Sequence, residues 1–215
     1  MPNMMDHSQH AASVFNKLAK EYQDRFMDTS IYHETFDAFC NAIPSDGSVL
    51  ELACGPGNIT HYLLRKRPDL VILGTDLAPE MVRLATTINP SAKFQVLDCR
   101  DVVQLKMHFD AVMCGFVLPY ISSEETQKLF SDVAAQLKPN GILYISTMEG
   151  RYSDSGFRKG STGEEIFMHY YDAEFLTGTL LANGFEILEL KRIISTNTDG
   201  SSVTDLVIIS VKQPR

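Results

Sequence analysis

The 215-residue chain has no excess of basic residues, since its 19 Lys and Arg face 27 Asp and Glu, a formal net charge of −8. Non-specific binding to nucleic acid or to an anionic membrane needs a basic surface, so we expect neither partner. No apolar run reaches the ~18 residues that a membrane span needs. Residues 1–10 lack the basic-then-apolar order of a secretory signal. We therefore predict a cytoplasmic protein.

Cysteine is also scarce. The four cysteines, Cys40, Cys54, Cys99 and Cys114, form no C-x-x-C pair, and no histidine cluster has zinc spacing. We expect unbridged thiols in a reducing compartment and no metal site. The chain also lacks internal repeats and low-complexity tracts. Its length suits one large α/β domain spanning residues 1–215.

Strands and helices alternate between residues 48 and 148. A helix is predicted after each of the first two strands, and Ser122 with Glu125 forms a capping-box signature for another. This order predicts right-handed crossovers and a parallel sheet covered on both faces. The five predicted strands are Val49–Ala53, Leu70–Asp76, Lys93–Leu97, Phe109–Cys114 and Gly141–Ser146.

The two flanks of this ligand-binding core (48–148) have other patterns. Residues 1–43 show apolar residues at helical spacing and are predicted to form helices that cap the core. Residues 149–171 are rich in Gly, Ser and charge and resemble a lid-like insertion. Residues 172–215 predict a helix and then two apolar runs around Asp199-Gly200, a hairpin signal. The predicted fold is α/β: a doubly wound, mostly parallel seven-stranded sheet, Rossmann-like, ending in an antiparallel C-terminal hairpin.

The first strand ends in a turn that contains Gly55 and Gly57. Without Cβ atoms, these residues allow a sharp turn and a close approach of the backbone to a ligand. Glu51 is an acid within an apolar strand, and its burial is costly unless it is paired. We expect it to accept hydrogen bonds from the N–H groups of the turn, or from a ligand ammonium through water. A plain strand-to-helix turn is the alternative.

Two further acids follow predicted strands. Asp76 lies 25 residues after Glu51 and can accept both hydroxyls of a ribose. Its alternative role is the N-cap of the helix that begins near Pro79. Asp98 can accept from an adenine amino group. Carboxyl ends of parallel strands share one edge of the sheet, so these residues are expected to meet there.

The ordered series resembles the class I S-adenosylmethionine-dependent methyltransferase family, in particular its small-molecule branch. The family's first motif, an acid followed by G-x-G-x-G, appears from Glu51 to Gly57 with Ala53 in place of the first glycine. The resemblance runs from about Phe15 to the C-terminal hairpin. It implies S-adenosylmethionine as cofactor and methyl transfer to a small-molecule acceptor by direct in-line displacement.

The resemblance also implies residue roles. Tyr22 would reach the cofactor carboxylate, and the backbone after the fourth strand would lie near the methionine. The implied cofactor-binding residues are Tyr22, Glu51, Ala53, Gly55, Gly57, Asp76, Leu77, Met81, Asp98, Cys99, Cys114 and Phe116.

Two other functions use the same sheet edge. NAD-dependent oxidoreductases typically carry the motif G-x-G-x-x-G/A. In this chain a motif that starts at Gly55 has Thr60 at the third small position. A noncatalytic module that binds S-adenosylmethionine or S-adenosylhomocysteine fits the motifs equally well. Sequence alone therefore favours the cofactor more strongly than the reaction.

The acceptor side has fewer signals. His169 is the candidate general base, and Tyr32, Tyr120 and Tyr170 are candidates for the acceptor pocket. Packing or surface exposure is the alternative for each of them. The pattern predicts neither the acceptor, nor the atom that is methylated, nor the oligomeric state.

Overall fold

The computed structural model describes residues 6–159, 163–196 and 202–214. The helices are α1 (His7–Lys17), α2 (Ala19–Phe26), α3 (His33–Ala42), α4 (Asn58–Lys66), α5 (Pro79–Ile88), α6 (Ser123–Gln136) and α7 (Ala173–Ala182). The strands are β1 (Ser48–Leu52), β2 (Val71–Asp76), β3 (Lys93–Val96), β4 (Phe109–Gly115), β5 (Leu137–Met148), β6 (Gly156–Lys159), β7 (Glu165–Met168), β8 (Phe185–Thr196) and β9 (Ser202–Lys212).

Seven of these strands form one sheet in the order β3-β2-β1-β4-β5-β9-β8. The strands β1 to β5 pair in parallel, whereas β9 runs antiparallel to both β5 and β8. The predicted fold class is therefore confirmed. The predicted turn at Asp199-Gly200 lies outside the described residues. Strand order reverses between β1 and β4, which is where open α/β sheets bind ligands.

Both faces of the sheet are buried, and alternate residues of each strand serve opposite faces. Leu50 and Leu52 pack with residues of α6 and α7. Val49 packs on the other face with Phe39 of α3 and Leu63 of α4. This two-sided core holds the strand ends in register and so fixes the edge where the strands stop.

Local chemistry sets the helix boundaries. The capping box of α6 is present, with the Ser122 side chain and Glu125 each accepting from the other's backbone. The predicted N-terminal helix is divided, because Leu18 leaves helical geometry between α1 and α2. Apolar periodicity continues across Leu18, so the pattern could not reveal this break.

The segment 149–171 contains more structure than a loop. Its strands β6 and β7 form a separate antiparallel pair. A bridge between Glu149 and Tyr171 joins the two ends of the segment. The insertion therefore leaves and re-enters the fold at one place.

Gly57 provides a test of the turn after β1. Its φ is +82°, and an added Cβ would lie 2.5 Å from Asn89 Nδ2 and 3.1 Å from Ala85 Cα. We expect Gly57→Ala to lower the free energy of unfolding by roughly 2–4 kcal/mol, through left-handed strain and overpacking. Urea denaturation measures the change.

The matched control is Gly178→Ala, in α7, where an added Cβ meets nothing within 4 Å. That variant should be more stable by about 0.5–1 kcal/mol, because alanine favours a helix interior. A Gly57→Ala protein as stable as the wild type would contradict the role given to the turn.

Candidate active site

The loop after β1 presents its backbone, and three of its residues have left-handed conformations. The φ angles are 48° at Ala53, 54° at Gly55 and 82° at Gly57. Hydrogen bonds hold the loop against β2, with the Cys54 N–H donating to the Thr75 carbonyl at 2.9 Å. At Gly55 the neighbour nearest to an added Cβ is a ring carbon of Tyr22, 3.9 Å away. The loop therefore faces open space.

That space is a cavity that opens to solvent, and the empty space in it and at its mouth amounts to about 730 Å³. It lies between the N-terminal helices and the carboxyl ends of β1, β2, β3 and β4. Its walls are formed by Ser8, Ala11, Ala12, Phe15, Tyr22, Ala53, Gly55, Asp76, Leu77, Met81, Leu97, Asp98, Cys99, Gly115, Phe116, Val117, Tyr120 and Ile121.

Most of the predicted cofactor residues meet in this cavity. Tyr22, Ala53, Gly55, Asp76, Leu77, Met81, Asp98, Cys99 and Phe116 all line it. Three predicted residues do not line it, namely Glu51, Gly57 and Cys114. Gly57 packs against Asn89, and Cys114 is buried in the core below the strand end.

Asp76 connects the loop to the next helix. Its Oδ2 accepts from the Gly55 N–H at 2.9 Å, and its Oδ1 accepts from the Ala78 N–H at 2.8 Å. Burial raises the pKa of this carboxyl, while the backbone donors oppose the rise. The N-cap of α5 is Ala78, so Asp76 does not occupy the capping position itself. Each carboxylate oxygen retains a lone pair for a further donor.

Glu51 lies behind the loop, with 1% of its surface exposed. Its Oε2 accepts from the Thr60 hydroxyl of α4, a partner that the sequence reading did not consider. Its Oε1 is buried and has no partner among the described residues. Burial raises the pKa of Glu51 to about 8.

Asp98 has a partner that the sequence did not indicate. Its two oxygens accept from the Arg100 guanidinium at 2.6–3.0 Å. Arg100 also donates to Asp6, the N-cap of α1, and to Glu125 at the start of α6. One guanidinium thus joins the cavity wall to α1 and α6.

The acceptor-side candidates do not gather in the cavity. Only Tyr120 among them lines it. His169 is buried beside the rings of Tyr152 and Phe167, and burial lowers its pKa. Tyr170 lies under the Arg158 guanidinium, 5.5 Å from its ring centroid. These contacts fit the packing alternative.

Tyr32 occupies an intermediate position. Its ring packs edge-on against Phe116, with centroids 5.6 Å apart, and Phe116 lines the cavity. Its hydroxyl donates to Asp205 at 2.6 Å. Tyr32 is therefore one side chain away from the cavity wall.

The sequence reading missed the contribution of α1. Ser8, Ala11, Ala12 and Phe15 form one wall of the cavity. The Ser8 hydroxyl donates to the Tyr120 carbonyl at 2.6 Å. In the sequence, Phe15 indicated only the helical periodicity. Nothing about Ala11 and Ala12 indicated that they form a wall of a ligand cavity.

Comparison with known proteins shows what the chain is similar to. Residues 49–141 match the model of a methyltransferase domain. The chain is 33% identical over 153 residues to a malonyl-[acyl-carrier protein] O-methyltransferase of Herminiimonas arsenicoxydans, covering 67% of this chain and 54% of that protein. It is 28% identical over 109 residues to a trans-aconitate 2-methyltransferase of Variovorax paradoxus strain S110, covering 51% and 41% respectively.

A solved structure shares the fold. The 1,6-didemethyltoxoflavin-N1-methyltransferase of Burkholderia thailandensis, with its substrate and S-adenosylhomocysteine bound, gives a TM-score of 0.73 at 19% identity. The likeness covers 100% of this chain and 93% of that one. The fold and the cavity define an α/β protein whose candidate ligand site lies where the strand order of its sheet reverses. Residues 49–141 are therefore similar to methyltransferase domains, and the chain shares the fold of a solved methyltransferase.

The relatives are longer than the match. The chain spans about half or less of the length of these two curated relatives. Within the described residues, no helix is long and apolar enough to cross a membrane.

Glu51 gives a pH-dependent test of the site. The folded protein keeps the proton of Glu51 up to a pH near 8, whereas an unfolded chain releases it near the ordinary value of 4.5. Between these values the folded state binds more protons, so the contribution of Glu51 to stability is lost as pH rises. We expect the free energy of unfolding to fall more steeply between pH 5 and pH 8 in wild type than in Glu51→Gln.

Urea denaturation at several pH values measures both slopes. The comparison between the two proteins isolates Glu51, because all other titrating groups are shared. Parallel curves for wild type and variant would refute the burial of an ionisable Glu51.

Proposed function

We propose that this chain binds S-adenosylmethionine in the cavity and transfers its methyl group to a small-molecule acceptor. The observation that carries the proposal is the meeting of Asp76 and the Gly55 turn at the point where strand order reverses. Nucleoside cofactors of α/β folds bind at this point, with a ribose on the acid after β2. The methyltransferase relatives support the reaction, and their named substrates belong to those proteins alone.

The residues present fit this cofactor. Asp76 would hold the ribose hydroxyls, while Leu77 and Met81 would contact the adenine. Backbone groups of Ala53 and Gly55 would face the methionine part. The unpartnered Oε1 of Glu51 offers a buried acceptor that an ammonium can reach through water.

Tyr22 would donate to the cofactor carboxylate. Burial, with a smaller contribution from the charge of Asp76, raises the pKa of Tyr22 to about 12. The phenol therefore keeps its proton at neutral pH and serves as a hydrogen-bond donor. Its ring also contacts Phe15 of α1, with centroids 5.6 Å apart.

The sulfonium supplies an already activated methyl group, so the protein's contribution is alignment. The acceptor atom must approach in line with the carbon–sulfur bond, and the cavity walls would limit the approach to one direction. The backbone of Gly115, at the end of β4, and the ring of Phe116 would form the wall nearest the methyl group. Helix α1 would exclude water from the opposite side.

The flanking segments complete the proposal. We assign residues 1–43 a capping role, since α1 forms a cavity wall, and residues 149–171 the role of a lid. A cytoplasmic location is supported by four free thiols, Cys40, Cys54, Cys99 and Cys114. A noncatalytic binding module remains the second candidate, because the residues that match the family's motifs concern the cofactor.

Calorimetry with S-adenosylhomocysteine tests the cofactor site. We expect one site in the wild type, and at least tenfold weaker binding by Asp76→Asn, which loses the charge-assisted bonds to ribose hydroxyls. The matched control is Asp24→Asn, an exposed acid on α2 that pairs with Lys20. It should bind as the wild type does.

Two results would oppose the proposal. Binding of NAD in place of S-adenosylhomocysteine would favour the oxidoreductase. Cofactor binding without methyl transfer to any member of a broad metabolite pool would favour the noncatalytic module.

A further inference from the structure

Asp205 is a buried carboxylate at the edge of the sheet that carries the cavity. Because β9 is antiparallel to β5, Asp205 pairs with Met148, the last residue of β5. Only 5% of Asp205 is exposed, and no cation among the described residues forms an ion pair with it. Burial of an acid without a counter-charge is costly. Such a group at a ligand-binding edge suggests a functional role.

Tyr32 links Asp205 to the cavity. The Tyr32 hydroxyl donates to Asp205 Oδ2 at 2.6 Å, and the Tyr32 ring packs on Phe116. The Phe116 N–H donates to the carbonyl of Ser146, the β5 residue beside the end of β4. A continuous set of contacts therefore runs from Asp205 to the wall beside the proposed methyl position.

The charges around the cavity favour one class of acceptor. Among the described residues that line it, the only charged side chains are Asp76 and Asp98, and none is cationic. Arg100 is held by Asp98, Asp6 and Glu125, and Arg192 is held by Glu149. An anionic acceptor would find no free cation on these walls.

An amine would find both an acid and aromatic rings. An ammonium is stabilised over the face of a tyrosine or phenylalanine ring. The ring of Phe116 lines the cavity, and Tyr32 lies next to Phe116. Asp205 supplies the negative charge behind Tyr32.

Building on the proposed function, we propose that the acceptor is a basic amine, and that the Tyr32–Asp205 pair receives the proton it must lose. The acceptor would have to lie beside Phe116, within reach of the Tyr32 hydroxyl behind it. The ammonium then gives a proton to the Tyr32 oxygen while the Tyr32 hydroxyl passes its own proton to Asp205. The freed nitrogen lone pair forms the bond to the methyl carbon. The carbon–sulfur bond breaks, and the sulfur keeps its electron pair.

Three probes with one skeleton and different charges test the class of acceptor. Benzylamine, benzyl alcohol and benzoate are titrated into the protein loaded with S-adenosylhomocysteine, and binding is followed by NMR. We expect benzylamine to bind and benzoate not to bind. Asp205→Asn should weaken benzylamine binding at least tenfold, and Tyr32→Phe, which keeps the ring, should weaken it severalfold.

The controls separate this inference from the proposed function. S-adenosylhomocysteine affinity, measured by calorimetry on each variant, should match the wild type and so report an intact fold. If Asp205→Asn fails to fold, Tyr32→Phe decides the question. The Asp24→Asn protein should bind benzylamine as the wild type does.

Three outcomes would overturn the amine assignment: no benzylamine binding by the wild type, benzoate binding as tight as that of benzylamine, or unchanged benzylamine affinity in the folded variants. Each can occur while S-adenosylhomocysteine still binds, which leaves the cofactor proposal standing. Failure of the wild type to bind S-adenosylhomocysteine would instead remove the proposed function.

Discussion

The two hydrogen bonds accepted by Asp76 are the interaction on which the cavity depends. One carboxylate holds the Gly55 N–H of the loop after β1 and the Ala78 N–H at the start of α5. The loop needs such a brace because it contains left-handed residues, and at Ala53 this conformation strains an L-amino acid by about 1 kcal/mol. Together with the hydrogen bond from the Cys54 N–H to the Thr75 carbonyl, this brace fixes the backbone in front of the cavity. The same carboxylate remains available to a ligand, so structure and proposed binding rest on one side chain.

The cavity wall formed by α1 depends on the charge of Arg100. Arg100 binds the Asp98 carboxylate at the cavity edge and reaches Asp6, which caps α1. Arg100 and Asp98 are largely shielded from water, so their contact is stronger than an ordinary surface ion pair, whereas the Asp6 carboxylate is exposed. The wall formed by α1 is therefore attached to the sheet at the end of β3.

Much of the fold could be read from the sequence because its signals are local. Strand and helix periods, the capping box at Ser122 and the acids at strand ends each occupy a few consecutive residues. The break at Leu18 escaped detection because apolar spacing is the same on both sides. The pairing of Tyr32 with Asp205 joins residues 173 positions apart. No local pattern encodes this pairing. His169 was predicted as a base but lies in an aromatic cluster, and its ring contacts could not be read from the local sequence either.

The cofactor-binding half of the site is therefore better defined than the acceptor-binding half. The family resemblance and the geometry agree on the cofactor-binding residues but not on the acceptor-binding ones. The central claim is that the acid after β2 holds the ribose of S-adenosylmethionine. A crystal structure of the chain with S-adenosylhomocysteine tests it most directly. We expect both ribose hydroxyls within hydrogen-bonding distance of the Asp76 carboxylate, with the sulfur directed toward Phe116. A ligand bound elsewhere, or a ribose with no contact to Asp76, would contradict the account.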